Sequence, residues 1–313
     1  MANNELTVAV LGPGGVGGLL AALLSRAGHR VICLAGEETA DSLRSDGIRV
    51  RSAAFGDFTA PVEADTELRE PVDACLITVK ATALDAALAR VPATALGDGL
   101  LVPFLNGVEH PARLRAHHPP AQVAPAIIRV ESTRVAPGVI EHGSPFAEID
   151  VTGDPVPRER LEALAAALRA AGPTTRVLPD ETAALWAKMT FLAPLALLTT
   201  LPHSRLRSNG GTPIDLPLGD VRTRHREELT ALLEETAAVS RSYGGPSDPV
   251  GALARYDTFP PGTKSSMQRD AEAHRPLELD AIGGALLRAA ERKGIAVPVA
   301  AGLVRELGAS QPN

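Results

Sequence analysis

Hydrophobic positions in the first half of the chain form short continuous runs, separated by stretches with helical spacing. Four of these runs predict buried strands, over residues 7–11, 30–34, 74–79 and 100–105. The stretches 15–27 and 82–89 are rich in Leu and Ala and predict helices. Because strands that alternate with helices in this way build parallel sheets, the pattern predicts a doubly wound α/β domain.

Three further strand-like runs follow one another with only turns between them, over residues 123–130, 139–141 and 147–151. We expect these runs to form an antiparallel or mixed edge of the same domain. A helix over 158–171 and a short strand over 175–178 complete it.

The strand signals end near Pro179. The periodic segments beyond it are all helix-like, over residues 181–201, 220–243, 277–293 and 298–307. A chain of 313 residues is long enough for two cores. We therefore predict an N-terminal Rossmann-type domain over residues 1–179 and a C-terminal all-α domain over 180–313.

Residues 203–218 interrupt the helical pattern and contain two glycines and two prolines. Loops of this length are either surface segments or active-site lids, and both readings stay open. The apolar helices around this segment suit a homodimer and equally suit burial within one chain. The oligomeric state therefore also stays open.

Composition narrows the classes of partner. The formal net charge is −6 and aromatic side chains make up only 3% of the chain. Nucleic-acid binding uses clustered Lys and Arg and aromatic platforms for bases, so no nucleic-acid partner is expected. The longest apolar run, residues 189–201, is too short to span a bilayer and contains Pro194, and the N-terminus carries no signal pattern. We expect a cytoplasmic protein with no membrane partner.

The two cysteines, Cys33 and Cys75, both lie in apolar strand-like runs. Such cysteines are usually small buried hydrophobic residues. A disulfide or metal framework needs more cysteines at closer spacing. No metal site is therefore expected.

A glycine-rich turn follows the first predicted strand. Gly12-Pro13-Gly14-Gly15-Val16-Gly17 has the pattern G-x-G-x-x-G, between a strand and a helix, as dinucleotide binding requires. The first glycine permits the tight turn, the second lets the backbone approach a pyrophosphate, and the third lets helix and strand pack closely. The helix N-terminus then offers N–H groups to the phosphates. The turn predicts a nicotinamide-dinucleotide site.

The end of the second predicted strand bears on the choice of coenzyme. A carboxylate there commonly holds the ribose 2′-hydroxyl of NAD, whereas an arginine accommodates the 2′-phosphate of NADP. Ala35 leaves room for that phosphate, but no arginine follows it directly. Glu37 and Glu38 would oppose a phosphate and Arg44 would favour it. NADPH is the expected coenzyme, with NADH as the alternative.

Two polar residues end predicted strands. Lys80 follows the run 74–79, and Asn106 follows the run 100–105. In open α/β sheets, ligands bind outside the carboxyl ends of the strands. Lys80 is therefore a candidate for coenzyme binding, and Asn106 is a candidate for the region of the ribose or nicotinamide.

Several segments together resemble the ketopantoate reductase family, within the larger 6-phosphogluconate-dehydrogenase-like group. The segments are the turn 12–17, Val79-Lys80-Ala81, Asn106-Gly107, Trp186-Ala187-Lys188-Met189, Ser265-Ser266-Met267-Gln268-Arg269-Asp270 with Glu278 after it, and Gly294-Ile295-Ala296-Val297-Pro298. The resemblance runs nearly end to end and implies an NADPH-dependent reductase of a 2-keto acid. It assigns the general acid to Lys188 and substrate binding to Ser266 and Glu278, and it places Asn106 between nicotinamide and substrate.

Elementary chemistry supports the role of Lys188. Hydride arriving at a ketone carbon leaves negative charge on oxygen, which a nearby ammonium both stabilises and protonates. Lys188 lies in a long apolar stretch, so we expect it to face a cleft. Ser266 is a candidate cap for the helix that follows it, and Glu278 is a candidate partner for a substrate hydroxyl or for Lys188.

The chain departs from the family pattern on the same helix. Members of the family carry asparagines four and eight residues after the lysine, where this chain has Leu192 and Ala196. We infer a more apolar substrate pocket and a bulkier or less polar keto compound than ketopantoate. Pro194 removes a helical hydrogen bond between them and either re-aims this face or marks a packing bend.

The leading hypothesis is therefore a keto-group reductase acting on a small molecule. Within enzymes, the alternative is another oxidoreductase of the larger group, such as an opine-type or 3-hydroxyacid dehydrogenase. From another class, the alternative is a nicotinamide-sensing binding protein without turnover. Consumption of NADPH with a panel of keto compounds separates these readings.

Overall fold

The computed structural model describes residues 5–208 and 218–309, with side chains described throughout except at 202–208. It divides into two compact units. The first contains the described residues up to Leu105 together with His110–Glu181, and the second contains Asn106–Glu109 and the described residues from Thr182 onward. The division after Glu181 lies two residues beyond the predicted boundary at 179, and the short segment Asn106–Glu109 is an addition that the sequence pattern did not indicate.

A five-stranded parallel sheet forms the centre of the first unit. Its strands are β1 (Thr7–Leu11), β2 (Arg30–Leu34), β5 (Glu63–Asp65), β6 (Ala74–Ile77) and β7 (Leu100–Pro103), in the order β5-β2-β1-β6-β7. The inner strands are buried on both faces, which is why they read as continuous apolar runs. Cys33 and Cys75 are both fully buried here, as predicted, and burial raises the pKa of each thiol to about 12.

The remaining strands form two sheets of their own. One contains β3 (Ile48–Ser52), β4 (Phe58–Ala60), β9 (Ser132–Ala136) and β10 (Val139–His142), and the other contains β8 (Ala126–Arg129), β11 (Glu148–Val151) and β12 (Thr174–Val177). The expected antiparallel or mixed pairing is found within the same unit, with β9 antiparallel to β10 and β8 antiparallel to β11, but these strands form two separate sheets and not one edge. A single bridge between Leu101 and Val123 joins β7 to the chain before β8.

Six helices belong to the first unit. They are α1 (Gly15–Arg26), α2 (Glu37–Asp46), α3 (Leu84–Leu88), α4 (Ala93–Leu96), α5 (His110–Arg115) and α6 (Arg158–Ala171). Helix α1 is apolar over most of its length and packs inside the core, whereas α2 buries only Ala40 and Leu43. This difference explains why α1 was predicted and α2 was not.

Seven α-helices follow in the described residues, and they form the second unit apart from Glu181, the first residue of α7. They are α7 (Glu181–Ser208), α8 (Leu218–Arg224), α9 (Arg226–Ser242), α10 (Pro249–Thr258), α11 (Ser266–Glu272), α12 (Ala285–Lys293) and α13 (Pro298–Ala309). A π-helical turn, Asp280–Gly284, leads into α12. Left-handed Gly294 ends α12, and the carboxylate of Glu235 accepts hydrogen bonds from the first N–H groups of α13, at Val299 and Ala300.

Two predicted segments differ from the structure. Helix α7 continues to Ser208, so the expectation of irregular chain over 203–218 is wrong for its first six residues, among which no glycine occurs. Leu218 already begins α8, and residues 209–217, the rest of the segment considered as a lid, lie outside the described residues. The single helix predicted over 220–243 is two helices that divide at His225.

The long apolar helix is part of the protein core. By length and composition alone, Glu181–Leu201 could cross a membrane, but 78% of its most apolar window is buried in the protein. Trp186, Met189 and Leu197 on it belong to the hydrophobic core of the second unit. Packing within the protein accounts for this composition, and the cytoplasmic location stays a prediction.

Candidate active site

The glycine-rich turn joins β1 to α1 in the first unit. Gly12 has a φ of +84°, and a Cβ on it would lie 2.5 Å from a methyl carbon of Val79. A Cβ on Gly17 would lie 2.2 Å from the Thr78 hydroxyl oxygen and 2.6 Å from the Gly12 carbonyl oxygen. These two positions therefore require glycine for the turn and for the packing of the helix against the sheet, as the sequence pattern predicts.

Gly14 differs from the other two glycines of the pattern. It is the N-cap of α1 without a side-chain cap, and the nearest atom to a Cβ built there is the Gly12 carbonyl oxygen at 3.9 Å. The protein itself thus leaves open the space that a side chain would fill. An open backbone beside the first N–H groups of a helix fits the pyrophosphate of a dinucleotide.

A further contact of the turn was not predicted from the sequence. Gly15 packs against the backbone of Ser132 on β9, where a Cβ would lie 2.2 Å from the Ser132 carbonyl oxygen. The Ser132 hydroxyl donates a 2.7 Å hydrogen bond to the carbonyl oxygen of Gly15. The second sheet therefore supports the start of α1. A tertiary contact of this kind leaves no signal in local spacing.

The end of β2 is acidic. Ala35 is buried, Gly36 is the N-cap of α2, and Glu37 and Glu38 are exposed in the first turn of that helix. Arg44, the candidate phosphate partner, pairs with Asp41 through Nη2, donates from Nη1 to the Ala64 carbonyl oxygen at 3.1 Å, and lies 4.0 Å from Glu37. The guanidinium already has partners within the protein.

The two predicted strand-end residues lie in different units. Lys80 follows β6 in the first unit and is half-buried. Asn106 follows β7 in sequence but belongs to the second unit, with Gly107, Val108 and Glu109. The joint role of Lys80 and Asn106 therefore stays a prediction, and each is described by its own surroundings.

Three of the predicted site residues form one hydrogen-bonded chain in the second unit. The Lys188 Nζ donates to the Asn106 Oδ1 at 2.9 Å, and the Asn106 Nδ2 donates to the Glu278 Oε2 at 3.0 Å. An ammonium can only donate and a carboxylate can only accept, so this chain fixes the orientation of the amide between them. Sequence positions 106, 188 and 278 thus converge on one site.

The burial of the three groups differs. Glu278 is 6% exposed, while Lys188 and Asn106 are half-buried. A buried carboxylate is costly unless it is paired or hydrogen-bonded, and the amide of Asn106 links it to the positive charge of Lys188. The arrangement leaves an ammonium, held at a fixed place, at the more accessible end of the chain.

The serine pair lies at the start of α11, but the helix cap is Ser265 and not the expected Ser266. Ser265, 3% exposed, is the N-cap: its hydroxyl accepts from the Gln268 N–H at 3.0 Å and contacts the Thr199 hydroxyl at 2.8 Å. Ser266 is exposed, so the cap falls on Ser265 and Ser266 is turned to solvent. The spacing Ser265-x-x-Gln268 is a capping-box pattern that indicates this assignment.

The two positions that depart from the family pattern lie on α7 with Lys188. Leu192 and Ala196, four and eight residues further along, share its face of the helix. Leu192 is partly buried, and Ala196 is 1% exposed within the hydrophobic core of the second unit. The face of α7 that carries Lys188 is therefore apolar beyond it, and its side chains pack against other apolar side chains.

Helix α7 continues through Pro194. The buried Tyr256, which the sequence analysis did not single out, donates its hydroxyl to the Phe191 carbonyl oxygen at 2.6 Å, and its ring stacks on that of Phe191. Burial raises the pKa of this hydroxyl, which keeps it protonated as a donor. Tyr256 thus supports the turn of α7 between Lys188 and Pro194.

Comparisons with known proteins agree with the fold and with these segments. The model of the ketopantoate reductase PanE/ApbA family matches residues 8–151, and the model of its C-terminal domain matches residues 182–311. The chain is 31% identical to a 2-dehydropantoate 2-reductase from Mycobacterium tuberculosis over 313 residues, covering 97% of each protein. It is 28% identical to the uncharacterized oxidoreductase YkpB from Bacillus subtilis, covering 93% of this chain and 94% of that one.

Solved structures give the same result. The crystal structure of 2-dehydropantoate 2-reductase from Methylococcus capsulatus superposes with a TM-score of 0.84 at 27% identity, covering 97% of this chain and 96% of that one. D-mandelate dehydrogenase, solved with NADH and anilino(oxo)acetate, gives a TM-score of 0.85 over 98% of both chains, and at 17% identity it shows the fold alone. The chain belongs to the ketopantoate reductase family.

Proposed function

We propose that the protein reduces the carbonyl group of a 2-keto acid with a reduced nicotinamide coenzyme and that Lys188 is the general acid. The observation that carries this proposal is the chain from the Lys188 ammonium through the Asn106 amide to the buried Glu278 carboxylate. Relatives named 2-dehydropantoate 2-reductase support the reaction class.

The coenzyme, when bound, supplies the hydride, and the residues of this chain handle the proton and the charge. Lys188 donates a proton from Nζ to the carbonyl oxygen and stabilises the negative charge that develops there. Asn106 holds Nζ through its amide oxygen, and Glu278 holds the amide. The turn around Gly14 would bind the pyrophosphate through the first N–H groups of α1.

We propose that the preferred substrate is less polar than ketopantoate. Neither Leu192 nor the core residue Ala196 has a hydrogen-bonding side chain. A substrate hydroxyl facing the partly buried Leu192 would therefore lose its water without gaining a partner. Such an unsatisfied polar group costs about 1–3 kcal/mol. A branched or aromatic 2-keto acid without a hydroxyl fits an apolar face better.

A substrate panel tests this function. We expect consumption of the reduced coenzyme with 2-keto acids, with kcat/KM higher for apolar side chains than for ketopantoate. A clear preference for ketopantoate would contradict the proposed pocket but keep the reaction. Coenzyme binding without consumption across the panel would contradict the reductase and favour a binding protein.

For the coenzyme we keep NADPH as first choice and propose that its preference over NADH is small. Arg44, the candidate phosphate partner near the end of β2, is shared with Asp41, and the exposed Glu37 and Glu38 repel a 2′-phosphate. Exposed charges act weakly through water, so we expect dissociation constants for the two coenzymes within about tenfold of each other.

Titration of the two reduced coenzymes, followed by their fluorescence, measures this preference. Arg44→Ala should weaken NADPH binding and leave NADH binding unchanged, whereas Glu37→Gln with Glu38→Gln should strengthen NADPH binding. Wild-type binding of NADPH that is a hundredfold tighter than that of NADH would contradict the proposal, as would an Arg44→Ala variant that weakens both equally.

A further inference from the structure

Four residues that follow β7 in sequence are built into the second unit. The segment Asn106–Glu109 groups with Thr182 and the helices beyond it, although the chain on either side belongs to the first unit. Asn106 carries the central amide of the site. Whatever holds this segment in the second unit therefore also sets the position of that amide.

The backbone of the segment lies directly against the helical turn after Glu278. Gly107 has a φ of +94°, and a Cβ there would lie 2.3 Å from the carbonyl oxygen of Ala281. Ala281 belongs to the π-helical turn Asp280–Gly284. Turns of this type are rare and are frequently found at functional sites. The close approach brings the segment to the element that positions Glu278.

Arg288, on α12, joins the segment Asn106–Glu109 to the π-helical turn. Its Nη2 donates to one carboxylate oxygen of Glu109 at 2.7 Å, and its Nε lies 3.2 Å from each of the two oxygens. Its Nη1 donates to a carboxylate oxygen of Asp280 at 2.7 Å. Arg292 adds a longer bond to Glu109 at 3.4 Å. The planar guanidinium fork thus holds a carboxylate of the segment and a carboxylate of the π-helical turn at once.

These contacts are close to the site along the chain. Glu109 lies three residues after Asn106, and Asp280 lies two residues after Glu278. Without Arg288, the Glu109 and Asp280 carboxylates would repel each other across the same gap. The arginine also holds the pKa of Glu109 below its ordinary value, which keeps that carboxylate charged.

We propose that Arg288 is a positioning residue: by clamping Glu109 to Asp280 it holds the Asn106 amide between Lys188 and Glu278. Arg288 acts through these residues and need not touch the substrate. The proposal rests on the proposed function for its kinetic consequences, but the placement of the Asn106 amide can be measured without turnover.

Because Arg288 and Glu109 are partly exposed, an effect of their pair on the position of Asn106 can be distinguished from an effect on folding stability. The side chains of Arg288 and Glu109 are 41% and 37% exposed, and ion pairs at such exposure contribute little to folding. Arg226 offers a matched control, because it is 42% exposed and holds Asp257 with two bonds of 2.6 and 2.9 Å. Arg226→Gln removes a similar ion pair from the same unit, and the side-chain hydrogen bonds of Arg226 go to Asp257 and to none of the three linked site residues.

Kinetics of five variants test the clamp. We expect Arg288→Gln and Glu109→Gln each to lower kcat about tenfold with little change in KM. The double variant should equal either single one, because each single substitution already breaks the Arg288–Glu109 pair. Arg288→Lys should recover part of the loss. Arg226→Gln should shift Tm as much as Arg288→Gln and leave kcat unchanged. Equal kcat values in Arg288→Gln and Arg226→Gln would overturn the proposal, as would kcat losses that multiply in the double variant.

A second readout keeps the clamp testable if the wild-type protein reduces none of the keto acids. In protein labelled with ¹⁵N at asparagine, the side-chain amide protons of Asn106 should exchange with water faster in Arg288→Gln than in the wild type or in Arg226→Gln. Unchanged exchange in Arg288→Gln would overturn the clamp, whereas absence of turnover with changed exchange would count against the reductase alone.

Discussion

Lys188→Ala should lower kcat by two or more orders of magnitude while the reduced coenzyme still binds. General acids typically contribute a factor of about 10² to 10⁴ to the rate, or about 3–5 kcal/mol of activation free energy. In the structure, Lys188 is held by the Asn106 amide, and its removal takes away both the proton donor and the positive charge. The loss should therefore fall on kcat more than on coenzyme affinity.

The control for this variant is another lysine of the same unit. Lys293 lies over the ring of Tyr243 at 4.6 Å and contacts none of the three linked site residues in the bonds described above. Lys293→Ala should keep the wild-type kcat. An unchanged kcat in Lys188→Ala would show that Lys188 is not the general acid. Equal losses of rate and of coenzyme affinity would indicate that the variant is misfolded.

Gly14→Val should abolish tight coenzyme binding without unfolding the protein. The space beside Gly14 is open, with the nearest atom 3.9 Å from a Cβ, so a side chain fits the free protein but occupies the place proposed for the pyrophosphate. Lost hydrogen bonds to a charged phosphate correspond to about 1.5–3 kcal/mol each, or roughly a tenfold to hundredfold weaker affinity per bond.

Gly17→Val is the contrasting variant. Its side chain would collide with Thr78 and with the Gly12 carbonyl oxygen, so we expect a lower Tm as well as lost binding. Coenzyme titration and thermal unfolding of both variants give the comparison. If Gly14→Val binds the coenzyme as tightly as the wild type, the pyrophosphate does not lie on this turn.

Sequence patterns predicted those elements whose formation depends on short, contiguous stretches of residues. The bounds of β1, β2 and α6 agree with the sequence patterns, because continuous apolar runs and a clear amphipathic repeat mark these elements. The glycine turn was equally readable, since steric limits on φ and on close packing demand glycine at Gly12 and Gly17.

Elements with narrow apolar stripes were missed. Helix α2 buries only Ala40 and Leu43, and its many polar residues hide the repeat. Beyond residue 120, β8, β10, β11 and β12 fall on predicted runs, but β9 was missed because its side chains are mostly exposed. The grouping of these strands into separate sheets depends on long-range pairing. Strand partners are not encoded in local periodicity, so this arrangement had to come from the structure.

The site was predictable only in its parts. Lys188, Asn106 and Glu278 were each singled out by resemblance, but their linkage through the amide is a tertiary fact. The role of Arg288 joins positions 109, 280 and 288, and no local spacing indicates it. The capping box at Ser265 shows the reverse case, in which a readable local signal moves the helix cap from Ser266 to Ser265. The substrate-binding role of Ser266 stays a prediction.

The proton donor is tested most directly by the pH dependence of single-turnover reduction at saturating coenzyme and substrate. If Lys188 gives the proton, the wild-type rate should fall as the pH rises and the ammonium is lost. Lys188→Ala should then show a low rate that lacks this alkaline decline. A Lys188→Ala enzyme that keeps the wild-type decline would show that another group donates the proton.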